Sequence, residues 1–336
     1  MMKSVKSVLA ASVVLALSGC GSDSSSPETG TFTLGVSDSP ALATNVTIGF
    51  DRVVLKGEQT FVYDVTEEGE LKQVNLLEFQ GQQVEQLVAG QEVPVGPYQM
   101  CIYMKNDVTG SANTSFVIAE EVTKGLVSTS QGSCGVADTD FDAENVKEEG
   151  RIFLNKKFDI AVGNNAFVAE FNLAKLQGPK GNKDYWTLKP TDVVTIENVS
   201  DVGAIKGNVT AELFADCEIE AGGADVNNRG AVYLFPAGAS VAGDEGTVSM
   251  ADFRTTDGYL DTESAPFTAA RVDEEGNYEM GFVVAGNYSL GYTCVAQNDD
   301  PDMNDMAEEG GFFFFADAAD VTVNLEEVTE VNFAVQ

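Results

Sequence analysis

Asn45 to Lys56 reads NVTIGFDRVVLK, with apolar side chains at alternate positions over its first half and a glycine directly after it. A period of two puts one set of side chains on one face of a strand, and no helix tolerates that pattern. Similar runs recur in the first half: TFTLGV, TFVYDV, LKQVNLL, VPVGPYQMCIYMK, SFVIAEEV, RIFLNKKFDIAV, NAFVAEFNL and YWTLKPTDVVTIENV. Gly, Asn and Asp punctuate them, and helical periodicity is almost absent, so the chain is expected to be all-β with short antiparallel strands. Leu76 to Val88 is the one stretch expected to form one or two helical turns, bridging two sheets.

At 336 residues, two domains are the natural expectation. The boundary is expected near ENVSDVGAIKG, giving one β-sandwich over 31–200 and a second over 204–336. Strands expected in the second half are AIKGNVTAELFA, AVYLFPA, FTAARVD, NYEMGFVV, NYSLGYTCVAQ, GGFFFFA, DVTVNL and VTEVNFAVQ. VGPYQMCIYM at 95–104 and AGNYSLGYTCVA at 285–296 share Gly-x-Tyr followed by alternation and a cysteine, which points to a common plan for the two halves.

The first nineteen residues have a charged start at Lys3 and Lys6, an apolar centre VLAASVVLAL, and small residues Ser18 and Gly19. This is the layout of an export signal, and its apolar part falls short of the roughly 20 residues that span a bilayer. Leu17-Ser18-Gly19-Cys20 resembles the lipobox of bacterial lipoproteins, in which the cysteine becomes the acylated first residue. The resemblance implies a triacylated Cys20 and, with Gly21 rather than Asp next to it, residence on the outer membrane, facing the periplasm or the cell surface. GSDSSSPETG then reads as a polar tether, within 20–30, that holds the folded part away from the lipid.

The formal net charge is -34; without Lys3 and Lys6, 17 basic residues face 53 acidic ones, or -36. The second half carries 26 acidic residues against Lys206, Arg229, Arg254 and Arg271, or -22. Such a surface repels nucleic acid and anionic head groups. There is no histidine, which removes Ser-His-Asp and Cys-His catalysis and every imidazole metal site. G-x-S-x-G, G-x-x-x-x-G-K-[ST] and a helix-opening G-x-G-x-x-G are also missing. Besides Cys20 four cysteines remain, and in an exported chain one bridge per half pairs Cys101 with Cys134 and Cys217 with Cys294.

TFTLGVSDSPALATNVTIGFDRVVL, VNLLEFQGQQVEQLVAGQEVPVGPYQMCIYM, FVAEFNLAKL and YWTLKPTDVVTIENV together resemble the domain-of-unknown-function 4382 family of bacterial lipoproteins. An Asp-small-Pro turn, an N-L-L segment, a Gly-x-Tyr strand and a closing L-K-P strand follow one another in that order over roughly 30–200. Ser39 stands where Ala is usual, and a cysteine-bearing insertion occupies 131–150. GAIKGNV with RVDEEGNYEMGFVVAGNYSLGYTC is similar to the transthyretin-like, or carboxypeptidase regulatory-like, domains. The two resemblances imply tandem prealbumin-like sandwiches and carry no activity with them.

NDDPDMNDMAEE supplies hard oxygen donors, and Asp299, Asp300, Asp302, Asn304 and Asp305 form a candidate calcium set beside Asn298, Glu308 and Glu309. Asp300, Asp302 and Asn304 copy the alternate spacing of an EF-hand loop, but Asp305 stands where that loop needs Gly. A solvated acidic loop is the competing reading. Asp138, Asp140, Asp142 and Glu144 form a second alternate-carboxylate run. Trp186, the only tryptophan, is expected to pack into a core, and Phe312 to Phe315 to form a central strand buried on both faces. The expected role is a non-catalytic binding, adhesion or scaffolding module held at the envelope by its lipid, with an envelope protein or glycan as partner and no cofactor except calcium in the acidic loop. A calcium-stabilised structural protein and a carboxylate-based glycan hydrolase are the alternatives; the latter needs two facing carboxylates in a cleft.

Overall fold

The computed structural model describes residues 28–39, 43–132, 134, 148–222, 230–241, 248–254, 258–306 and 311–335. Cys20, the expected tether up to Pro27 and the run Asp138 to Glu144 lie outside the described residues, while Thr29 and Gly30, expected at the end of the tether, already belong to the first strand, where Gly30 pairs with Val93 and Gly163. The chain begins with β1 (Thr29–Ser39), β2 (Asn45–Lys56), β3 (Thr60–Asp64), β4 (Lys72–Asn75), β5 (Glu85–Pro94) and β6 (Gly96–Lys105). It continues with β7 (Phe116–Ala119), β8 (Val122–Ser128), β9 (Glu149–Ile160), β10 (Gly163–Asn172), β11 (Trp186–Leu188), the single turn α1 (Pro190–Val193) and β12 (Val194–Asn198). Of the helical turns expected over 76–88, only the 3-10 turn Leu76–Glu78 forms, because Glu85 onward enters β5.

A four-stranded sheet in the order β12-β10-β1-β5 faces an eight-stranded sheet built around β2 and β6. Alternation in β1 sends Phe32, Leu34 and Val36 into the core, where they meet Ile48, Phe50 and Ile102 of the opposite sheet. The outer face of β2 and β6 carries Val54, Cys101 and Tyr103, and the Cys101–Cys134 disulfide pins the segment ending at Cys134 across it.

The second half consists of β13 (Val202–Asn208), α2 (Ala211–Glu220), β14 (Ala231–Pro236), β15 (Ala239–Ser240), β16 (Val248–Met250), β17 (Glu263–Ser264), β18 (Thr268–Arg271), β19 (Asn277–Val284), β20 (Gly286–Thr293), β21 (Ala316–Val323) and β22 (Val328–Glu330). A three-stranded sheet, β19-β13-β22, packs on a four-stranded one, β18-β14-β20-β21, through Ile205, Val232, Leu234, Met280, Leu290 and Tyr292. The expected strand AIKGNVTAELFA breaks at Thr210, whose hydroxyl accepts the Leu213 N–H and caps α2. Leu213 and Cys217, four residues apart, turn inward, and the Cys217–Cys294 disulfide fastens the helix to the end of β20. Loops of 33 and 77 residues are closed by the two bridges, each worth roughly 4 kcal/mol on the chain-entropy account.

The repeated Gly-x-Tyr motif has a common structural role. Tyr98 in β6 donates its hydroxyl to the Pro94 carbonyl at 2.8 Å, and Tyr288 in β20 donates to the Val284 carbonyl at 2.6 Å, each four residues upstream. Both strands lie inside their sheets, so the tyrosine ties the turn at a hairpin entrance to the strand that follows.

Phe312 to Phe315 are not a strand; β21 begins only at Ala316. Phe312 and Phe314 pack with Tyr233, Phe235 and Phe253 on the outer face of the four-stranded sheet, while Phe313 and Phe315 contact the sandwich core. An extended segment running between two apolar clusters buries alternate rings in each, so no ladder is needed to hold it.

The halves meet over a close interface. Gly81 and Gly281 approach so nearly that a Cβ on Gly281 would lie 1.9 Å from the Gly81 carbonyl oxygen. The Gln82 N–H donates to Glu279, the Asn172 amide donates to the Phe267 carbonyl at 2.9 Å, and Lys175 sits 5.1 Å over the Phe253 ring. At the end of β1, Asp38 is 2% exposed and faces Glu170 and Arg271, the latter from the second half. Burial and the Glu170 charge hold its carboxyl well above the usual range, against the pull of Gln80 and Arg271. Substituting Gly281→Ala should force the halves apart and lower stability by about 1–3 kcal/mol. A thermal melt followed by Trp186 fluorescence checks this; an unchanged midpoint contradicts the described contact.

Candidate functional site

In the four-stranded sheet of the second half, β14 is buried on both faces. Along β14 the side chains alternate: Val232 and Leu234 enter the sandwich, while Ala231, Tyr233 and Phe235 point to the outer layer. That layer contains Met250 to Arg254 and the segment after β20, and it buries polar groups along with the aromatic rings. Carboxylate oxygens of Asp252, Asp299 and Asp305 lie within 4.8 Å of one another, all buried. Two of the five residues expected to form a calcium set are therefore brought together, with Asp252 as third member from well upstream.

The other three go elsewhere. Asp300 is exposed; its N–H donates to Asp305 at 2.6 Å and its carboxylate accepts the Asp302 N–H at 2.9 Å. Asp302 turns to the first half, accepting from the Gln177 amide at 3.3 Å and pairing with Lys180 at 3.4 Å. Asn304 is half-buried in the same turn. The alternate spacing of Asp300, Asp302 and Asn304 thus does not converge on a loop centre.

Within the cluster each carboxylate accepts from the protein itself. The Tyr233 hydroxyl donates to Asp299 at 2.8 Å and the Phe253 N–H donates to Asp299 at 3.2 Å. Asp252 accepts from the Asp305 N–H at 2.6 Å and from the Arg254 guanidinium, which also holds Glu263 at 2.8 Å. One guanidinium thus stands against three buried carboxylates and Glu263, and the deficit has to be met. Burial pushes Asp299 up to about 8, with the neighbouring Asp252 and Asp305 charges adding to the rise and the Tyr233 bond opposing it. Burial and Asp299 likewise raise the Tyr233 phenol well above its ordinary value. Around neutral pH the shortage of positive charge is met by a proton on Asp299, and a hard cation would serve the same purpose. The bonds already made give the cluster a first use: they clamp the 299–305 turn to Asp252–Arg254 over the sheet.

Asp252, Tyr233 and Arg254 were not singled out by sequence. The available signal was Arg254 itself, one of four basic residues in an otherwise acidic half, two positions from Asp252.

Asp299 titrates near 8 in the folded chain against an ordinary value of 3.8, so between these the folded state binds more protons than the unfolded one. Its contribution is therefore fully present below about 4 and is lost as pH rises toward 8, at up to ~1.4 kcal/mol per pH unit. Asp299→Asn should remove that slope. Urea unfolding of both proteins from pH 4 to pH 8 checks it, and parallel curves contradict it.

The profile of the family described as Domain of unknown function (DUF4382) matches residues 29–190. No curated protein matches the chain. Among solved structures it is similar to the Bacillus anthracis TIE protein, at 10% identity and a TM-score of 0.19, covering 91% of this chain and 33% of that one. A leucine-rich repeat protein from Bacteroides thetaiotaomicron aligns at 12% identity and a TM-score of 0.18, over 93% of this chain and 26% of its own. The fimbrial anchor protein Mfa2 from Porphyromonas gingivalis aligns at 6% identity and a TM-score of 0.17, over 80% of both. The chain thus spans about a third or less of the first two, and likenesses at these TM-scores carry no argument. The family match is of another kind: residues 29–190, just under half of the chain, match the DUF4382 family of domains of unknown function.

Proposed function

We propose that the protein is an outer-membrane lipoprotein, anchored through acylated Cys20, whose two β-sandwich halves act as a non-catalytic binding, adhesion or scaffolding module. The observation that carries this reading is the way its gathered carboxylates are spent. Asp299, the one with the strongly raised pKa, accepts from Tyr233 and Phe253, and Asp252 from Arg254 and Asp305. Groups engaged in this way hold a fold together; a hydrolase needs one to be free to pass a proton to a substrate. The anchor rests on LSGC and the tether that follows it.

Expressing the full chain with and without Cys20→Ser, under palmitate labelling, tests the anchor. The native chain should be labelled and should sediment with outer membranes, and the variant should be unlabelled and released. A labelled variant overturns the anchor. Hydrolysis of envelope glycans by the purified chain, lost in Asp299→Asn, overturns the non-catalytic part.

The excess of buried negative charge favours a second reading, in which calcium stabilises the outer layer. Millimolar calcium should then raise the melting midpoint above that in chelator, and Asp252→Asn should abolish the rise. Equal midpoints for the native chain leave the proton as the compensating charge.

A further inference from the structure

Among the described arginines, Arg271 alone makes no hydrogen bond and no ion pair. Arg52 pairs with Asp51 and Glu149, Arg151 donates to Ser130, and Arg254 holds Asp252 and Glu263. Arg271 stands half-buried on β18, directly across from Ala231 of β14 and therefore on the outer face of the sheet. The carboxyl whose charge reaches it is Asp38, and neither Asp38 oxygen accepts a hydrogen bond. Burial keeps that carboxyl well above the usual range, so it does not neutralise the guanidinium. A planar fork of donors is left unused at a site partly withdrawn from water, and such a fork matches the two oxygens of a carboxylate.

Beside Arg271 lies a cleft of about 320 Å³, where the halves meet. The first half contributes Leu173, Leu176 and Trp186, and on the second half the small side chains of Ala231 and Ala269 leave the space open. That volume is at the low end of the roughly 300–1,000 Å³ of small-molecule sites, which favour domain interfaces and pair apolar walls with a few polar groups. The Asn172 bond to the Phe267 carbonyl and the Asp302 contacts with Gln177 and Lys180 hold the walls in place before any ligand arrives. Two charged poles remain in the lining. Arg271 is one, and the other is the exposed Asp300, which spends one oxygen on the Asp302 N–H. Asp299 lines the cleft as well, but its carboxyl is engaged by Tyr233 and Phe253 and carries the proton of the cluster. A ligand with a single charge is drawn to one pole and repelled by the other, and an anion meets in addition a chain of net charge -34. A ligand that carries both charges satisfies both poles at once.

We propose that this interdomain cleft binds a zwitterion, a free amino acid with an apolar side chain, with its carboxylate on Arg271, its ammonium at Asp300 and its side chain against Trp186. The proposal deepens the reading of the chain as a binding module and rests on it.

Trp186 is the only tryptophan and serves as the reporter. The full chain is titrated by fluorescence and calorimetry with phenylalanine and leucine, and with phenethylamine and 3-phenylpropionate, which are phenylalanine without its carboxylate and without its ammonium. Phenylalanine should saturate and bind about tenfold or more tighter than either truncated probe. Arg271→Met should weaken phenylalanine about tenfold or more and leave phenethylamine no weaker, whereas Asp300→Asn should weaken phenylalanine about fivefold and leave 3-phenylpropionate no weaker. The Arg271→Met melting midpoint should be no lower than the native one, because the guanidinium bonds to nothing in the fold. Equal affinity for phenylalanine and its two truncated forms, no saturable heat with phenylalanine or leucine, or amino-acid binding that survives both substitutions overturns the proposal. Failure here, with an envelope protein or glycan still captured by the intact chain, removes the cleft ligand and leaves the module reading standing.

Discussion

The arrangement of the second half depends on burying β14 on both faces. A strand covered on one side needs only a period of two, whereas Ala231 to Phe235 is apolar at every position and requires a second layer. That layer is short of regular structure: two- and three-residue strands, a 3-10 turn and the extended phenylalanine run. Such segments leave backbone and side-chain polar groups to be satisfied locally. Asp252 and Asp299 do part of that work, accepting the N–H groups of Asp305 and Phe253 respectively. The carboxylate cluster is thus the polar counterpart of an apolar cover, and its negative charge is a consequence of its position.

The same layer leads to the interface. Phe253 lies under Lys175, Asp302 reaches Gln177 and Lys180, and Asp299 and Asp300 line the cleft that Trp186 closes from the other half. Cover, clamp and cleft therefore form one connected region, and the halves are better described as one body with two cores than as separate modules on a string. The Gly81–Gly281 approach and the Asn172 bond to the Phe267 carbonyl hold the halves together there, and Asp38, buried at the same seam, keeps its carboxyl well above the usual range because burial outweighs Arg271 of the other half.

Much of the fold was legible because strand alternation is local. β2, β6 and β14 fall within the runs that alternate or are continuously apolar, β1, β10 and β20 overlap such runs and extend past them, and one bridge per half follows from where the cysteines stand. What was not legible depended on tertiary context. The α2 helix looked like the continuation of a strand until the Thr210 cap and the inward pair Leu213 and Cys217 were seen together. Phe312 to Phe315 is apolar at every position, as a strand buried on both faces would be, yet its alternate rings belong to two different clusters and no ladder forms. In the acidic turn, spacing suggested Asp300, Asp302 and Asn304 as a set, but the backbone sends Asp302 to the first half and brings in Asp252, whose partnership no local pattern encodes.

Asp299 is the buried, proton-bearing member of the clamp between the outer layer and β14. Carbon-13 NMR of the aspartate carboxyl groups, with the Asp299 resonance assigned through Asp299→Asn and recorded across pH, tests it directly. A midpoint near 8 is expected. A midpoint in the ordinary carboxylate range, near 4, would mean that Asp299 is open to water, and the account of the outer layer as a sealed polar clamp would be wrong.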